Sequence, residues 1–164
     1  MNIVGTRKVI DLCKKISKLD AFIHVSTAYA NCDRKQIDEI IYPPPMEPDN
    51  IIKMLEWLSD DQAQELTPSL IRPRPNTYTF TKAIAESLVV RECEGKIPCS
   101  IVRPSIVGAA LKEPLPGWID NYNGPTAVFS AIGKGILRSI IGKSQCVFDI
   151  IPVEYPTNMM IVAA

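Results

Sequence analysis

Tyr78-Thr79-Phe80-Thr81-Lys82 sets a phenol and an ammonium four residues apart. On a helix that spacing is one turn, so both side chains leave from nearly the same face. A tyrosine ordinarily titrates at about 10, too high for efficient proton transfer near neutrality. An ammonium one turn away stabilises the phenolate and makes the tyrosine a better proton-transfer group. The spacing alone is common on amphipathic helices, where the ring packs and the lysine is solvated. A second cluster changes the balance. Val25-Ser26-Thr27-Ala28-Tyr29 follows a short apolar run, and the Thr27 hydroxyl is placed to donate to an oxygen on which negative charge develops, with Ser26 the nearest alternative donor. Either hydroxyl serves equally well to brace a loop. A proton donor, a tuning cation and an oxyanion donor together describe acid–base chemistry at an oxygen on which negative charge develops.

Those groups need elements that bring them together. Asn2 is the expected cap of a helix with an inward stripe of Val9, Leu12, Cys13 and Ile16. Residues 21–25 form a short apolar strand, and the polar edge that follows, from His24 through Asn31 and Asp33, marks its passage into a loop. Tyr42-Pro43-Pro44-Pro45 interrupts the chain in an extended form. An amphipathic helix over residues 50–57 uses Ile51, Ile52, Met54 and Leu55, and the acidic stretch 60–65 is surface. Residues 77–94 have the length and apolar content of a helix, and residues 99–103 those of a strand ended by Arg103-Pro104. Beyond Ser105 the prolines and glycines imply loops, with a helix within 126–139 and a strand within 146–153. Helix and strand alternate, which predicts an α/β fold with a parallel sheet. The expected domains are residues 1–105, with an insertion at about 34–75, and residues 106–164, the beginning of a substrate-facing region.

Eighteen basic and eighteen acidic residues cancel, so no broad field draws this chain to nucleic acid or to an acidic membrane. Five cysteines form neither a CxxC pair nor a ligand-spaced cluster, which argues against zinc and for a reducing compartment. No apolar run is long enough to cross a bilayer.

In order along the chain, Asn2-x-x-Gly5-Thr6, Ser26-Thr27, Tyr78-x-x-x-Lys82 and Arg103-Pro104-Ser105-x-Val107-Gly108 resemble the extended short-chain dehydrogenase/reductase family. That resemblance implies an incomplete Rossmann-like, doubly wound parallel sheet lacking its N-terminal βαβ portion. By it, Tyr78 transfers the proton, Lys82 contacts the nicotinamide ribose and tunes Tyr78, and Thr27, ahead of Ser26, assists the carbonyl oxygen. Asn2 occupies a helix position that supports a water or proton relay. Arg103, Pro104, Ser105 and Val107 join Tyr78 and Lys82 as cofactor-binding positions. Val25–Tyr29, Pro43-Pro44-Pro45, Arg74-Pro75-Asn76-Thr77-Tyr78 and the segment from Glu113 to Asn121, with Gly124-Pro125 and Gly133-x-Gly135-x-Leu137-Arg138, resemble more narrowly the eukaryotic alcohol-forming fatty acyl-CoA reductases.

The narrower resemblance implies NADPH as cofactor and a long-chain fatty acyl-CoA as substrate, reduced through an aldehyde to an alcohol. It also implies a peroxisomal or endoplasmic-reticulum membrane location for the parent protein. The sequence holds no Gly-x-Gly-x-x-Gly after a strand, the element that sets a helix N-terminus against a dinucleotide pyrophosphate. The isolated chain is therefore expected to be inactive. Two other readings share these residues: a noncatalytic binding module on the same fold, and a reductase of sterol, sugar or isoprenoid carbonyls. Trp118 and Phe129 are expected either to cover the core or to border an acyl or CoA entrance near Lys112 or Arg138.

Overall fold

The computed structural model describes residues 1–164, which divide into two compact units, Met1–Pro104 with Ala163–Ala164, and Ser105–Val162. The first opens with helix α1, Asn2–Cys13, followed by strand β1, Phe22–Val25, and a 3-10 turn, Ala28–Asn31. Helices α2, Pro48–Trp57, and α3, Asp60–Leu70, come next. Helix α4, Thr77–Cys93, then crosses to strand β2, Cys99–Val102. β1 and β2 pair in parallel, with Phe22 opposite Cys99 and Val25 opposite Val102, so their C-terminal ends lie side by side. A parallel pair requires a crossover of a dozen or more residues, and α4 forms the last part of that crossover. The result is part of a Rossmann-like parallel sheet with flanking helices, as the alternation of patterns predicts.

The core sits between α1 and α4. Ile10, Ile84, Leu88, Val89 and Cys93 are fully covered, with Ile3, Phe80 and Ile51 close to it. Burial of each large aliphatic side chain is worth about 1.5–3 kcal/mol. The predicted inward stripe of α1 is corrected here. Val9, Leu12 and Ile16 are exposed, and Ile3, Ile10 and Cys13 face α4. This helix carries apolar residues on two adjacent faces, so periodicity alone does not say which one α4 covers. Asn2 is also not the cap: that position is Met1, and Asn2 lies inside the first turn.

The stretch expected as acidic surface is helix α3. Ser59 and Gln62 exchange side-chain and backbone hydrogen bonds in a capping box, and Asp60 and Asp61 suit the positive end of the helix dipole. None of its residues is buried. At the N-terminus of α2, Asp49 accepts charged hydrogen bonds from Arg7 of α1 and Arg91 of α4. Both arginines, Arg7 first, hold its carboxyl below the usual carboxylate range. The insertion is closed at its ends by Arg74, a buried side chain that pairs with Asp33 at 3.1 Å and donates to the Ala30 carbonyl at 3.3 Å.

The second unit pairs strand β3, Ile106–Gly108, in parallel with strand β4, Ile150–Pro152. Gly108 allows a close approach there, because a Cβ would stand 2.8 Å from Ile150 Cγ2 and force that side chain to shift. Helices α5, Pro125–Gly133, and α6, Glu154–Val162, complete it. α5 and β4 are shorter than the stretches expected to contain them, and α6 was not expected from the sequence. Trp118 and Phe129 are exposed and cover no core, although Phe129 meets Phe148 edge-on at 6.5 Å.

Glu154 accepts from the backbone amides of Leu111, Lys112 and Glu113, which hold its carboxyl well below its ordinary value of 4.5, at about 2. A depressed carboxylate contributes stability that is fully present above its unfolded value and is lost as pH falls through the folded one. The contact should therefore persist to about pH 2. Carboxyl NMR of Glu154 and the amide shifts of residues 111–113 should titrate together near that value, and a midpoint near 4.5 would contradict the arrangement.

Candidate active site

The site begins with the cap of α4. Asn76 is extended and its side chain accepts from the Thr79 amide at 2.9 Å, which starts the helix one residue before Tyr78. Tyr78 is thereby held in the first turn with its ring about half exposed, at 49%. One turn further, Lys82 places its ammonium 6.0 Å from the centroid of that ring. The same ammonium donates to the carbonyl of Val25 at 2.9 Å, so it ties the tyrosine turn to the end of β1. Burial pushes the lysine below its ordinary pKa, and Glu86 opposes that shift.

Thr27, the second residue after β1, is buried. Its hydroxyl oxygen accepts from the Tyr29 amide at 3.2 Å and caps the 3-10 turn. A hydroxyl that accepts this way keeps its own proton to donate. Ser26, also buried, donates to Glu86, so its proton is already committed. The backbone here is anchored across the sheet, with Ser26 N donating to Val102 O at 2.8 Å and Ala28 N to Pro104 O at 2.9 Å.

Glu86 is the residue that sequence reasoning missed. It lies one turn beyond Lys82 and is only 3% exposed. Arg103 grips both of its oxygens, with Nε at 2.9 Å and Nη2 at 2.8 Å, a bidentate geometry. The same guanidinium donates to Ile40 O at 2.9 Å and Asp38 O at 3.3 Å, which holds the outgoing loop. The Glu86 bond raises the Arg103 pKa further. The signal was present: Tyr78, Lys82 and Glu86 stand at i, i+4 and i+8, and a carboxylate amid the apolar residues of a core helix needs a partner. His24 of β1 is buried with Nε2 unpartnered, and burial, followed by the charge of Lys82, lowers its pKa, against Glu86.

Asn2 donates to Thr81 Oγ1 at 3.0 Å, a contact with the helix that carries Tyr78 and Lys82 rather than with either side chain. Ser105 and Val107 belong to the second unit. The Ser105 hydroxyl is buried without a partner, and Val107 is exposed in β3. The first unit thus gathers Tyr78, Lys82, Thr27, Ser26, Arg103 and Pro104 around the carboxyl ends of two parallel strands, where open α/β sheets receive ligands.

Comparison with known proteins accords with this geometry. The NAD-binding family described as male sterility protein matches residues 1–160. Fatty acyl-CoA reductase 1 of Xenopus laevis is 54% identical over the whole chain, and that of Homo sapiens 51%. Fatty acyl-CoA reductase 2 of Mus musculus is 50% identical over 98% of it. The chain spans about a third of the length of these relatives, 32%, 32% and 31%. The chain therefore belongs to the NAD-binding family described as male sterility protein, and the resemblance to fatty acyl-CoA reductases carried by its motifs extends over its full length.

Proposed function

We propose that this chain is the catalytic segment of a reductase that converts a long-chain fatty acyl-CoA, through the aldehyde, to a fatty alcohol with NADPH as reductant. The observation that carries the reading is Lys82, whose ammonium lies beside the Tyr78 ring and on the Val25 carbonyl, two residues before Thr27. The relatives' names supply the acyl-CoA.

When bound, the reduced dinucleotide supplies one hydride to each of two reductions. Tyr78 and Lys82 would hold its nicotinamide end. The lysine fits this task, because its three N–H donors are used once, on Val25 O. In the first reduction Thr27 donates to the thioester oxygen as charge builds there. The C–S bond then breaks, CoA leaves as the thiol after taking up a proton, and the aldehyde remains. In the second, Tyr78 gives its proton to the aldehyde oxygen, Lys82 stabilises the phenolate left behind, and water restores the proton. Ser26 braces the turn through Glu86, which leaves the oxyanion role to Thr27. Asn2 supports the helix through Thr81.

The test is product-resolved turnover by the full-length parent protein. Supplied with hexadecanoyl-CoA, it should consume two NADPH per alcohol formed. Binding of both compounds without aldehyde or alcohol would overturn the enzyme reading, and turnover confined to sterol, sugar or isoprenoid carbonyls would reassign the substrate. We place the parent protein at the peroxisomal membrane on the resemblance alone, which imaging of the tagged protein tests. No helix here is long and apolar enough to cross a membrane.

A further inference from the structure

The insertion packs Ile51 into the core and turns other apolar side chains toward an open groove. This groove, about 640 Å3, runs between the first turns of α1 and α4 and the two insertion helices, within the ~300–1,000 Å3 range of small-molecule sites. Its walls include Val4, Ile52, Leu55 and Leu70. Leu55 is half exposed, and α3 buries no residue of its own. Apolar walls of this kind suit a hydrocarbon ligand. Tyr78 lines the same groove. A carbonyl held at the phenol therefore has its carbon tail beginning at the groove's wall.

We propose that this groove binds the acyl chain of the substrate, and that the insertion at residues 34–75 is the acyl-binding element. The inference rests on the acyl-CoA reading above. An unbranched hydrocarbon suits a lining that is mostly apolar, with Asn2, Glu56, Tyr78 and three threonines as its polar side chains. An anionic ligand would meet the Glu56 carboxylate there and no lysine or arginine. The acyl site is thereby assigned to residues of the first unit, whereas Trp118 and Phe129 belong to the second.

The experiment uses the full-length parent protein. Leu55→Trp narrows the groove without touching the buried core. The ratio of kcat/KM for hexadecanoyl-CoA to that for hexanoyl-CoA should fall by about 10–200-fold, the range for denying a hydrophobic pocket a methylene. An unchanged ratio overturns the proposal. A second measurement does not depend on the variant. Unsubstituted protein is irradiated with an acyl-CoA that carries a diazirine at its chain end, and the labelled peptides are mapped. Label on peptides from α2 and α3 supports the groove. Label confined to the Trp118 or Phe129 peptides, or to a segment outside this chain, overturns it. Either result with intact turnover leaves the acyl-CoA reading standing, whereas an unsubstituted protein that reduces neither thioester removes both.

Discussion

Tyr78→Phe in the full-length parent should lower kcat by about 10²–10⁴-fold, the usual worth of a positioned acid or base, and leave KM for the acyl-CoA unchanged. The phenol is half exposed, so its loss should shift stability by no more than about 0.5 kcal/mol. A fall in kcat and kcat/KM together, with KM constant, is the signature of an interaction made only in the transition state. The measurement is the steady-state rate of alcohol formation, because Tyr78 acts in the second reduction, with the melting temperature as the control for folding. A fall of threefold or less, or a rise in KM that accounts for the loss, would remove Tyr78 from proton transfer and leave it as part of the wall.

Glu86→Ala should have the largest effect on stability, about 3–5 kcal/mol, because it strands the Arg103 guanidinium in a largely buried position and removes the acceptor of Ser26. Urea unfolding should show a lower midpoint at an unchanged slope. Replacing both partners by apolar residues, Glu86→Leu with Arg103→Met, should cost less than the single change, since no charge is then left unpaired. The carbonyls of Asp38 and Ile40 that Arg103 serves are exposed and can turn to water. If the double replacement is as damaging as the single one, the pair is needed for the shape of the strand ends and not only for charge balance. Activity should fall along with stability in Glu86→Ala, because the same carboxylate positions Ser26 beside Thr27 and sits one turn from Lys82.

The elements around the chemistry were legible because each carries a strong local signal. The long apolar run that becomes α4, the Phe22–Val25 run, and Arg103-Pro104 ending the next strand are decided by short-range physics. The pairing of those strands followed from the alternation of patterns. What could not be read was anything set by a partner distant in sequence. α1 has two apolar faces, and only the position of α4 selects Ile3 and Ile10 over Val9 and Leu12. Helix α3 was hidden by its acidic composition, although Ser59 and Gln62 spell a capping box. The division of labour between Ser26 and Thr27 depends on a carboxylate sixty residues away, and no spacing rule reports that. Asn2 was singled out for its motif, but its bond to Thr81 is a tertiary fact.

The Arg74–Asp33 pair fastens the two ends of the insertion side by side. Between them the chain behaves as a cassette whose mouth is fixed. Loop entropy grows only by about 0.6 kcal/mol for each doubling of length, so the stretch that carries α3, which buries none of its residues, can be lengthened, trimmed or exchanged for that of a relative, while α2 stays anchored through Ile51 and Asp49. A scaffold of this kind allows chain-length preference to drift or be engineered by transplanting one segment, without renegotiating the chemistry.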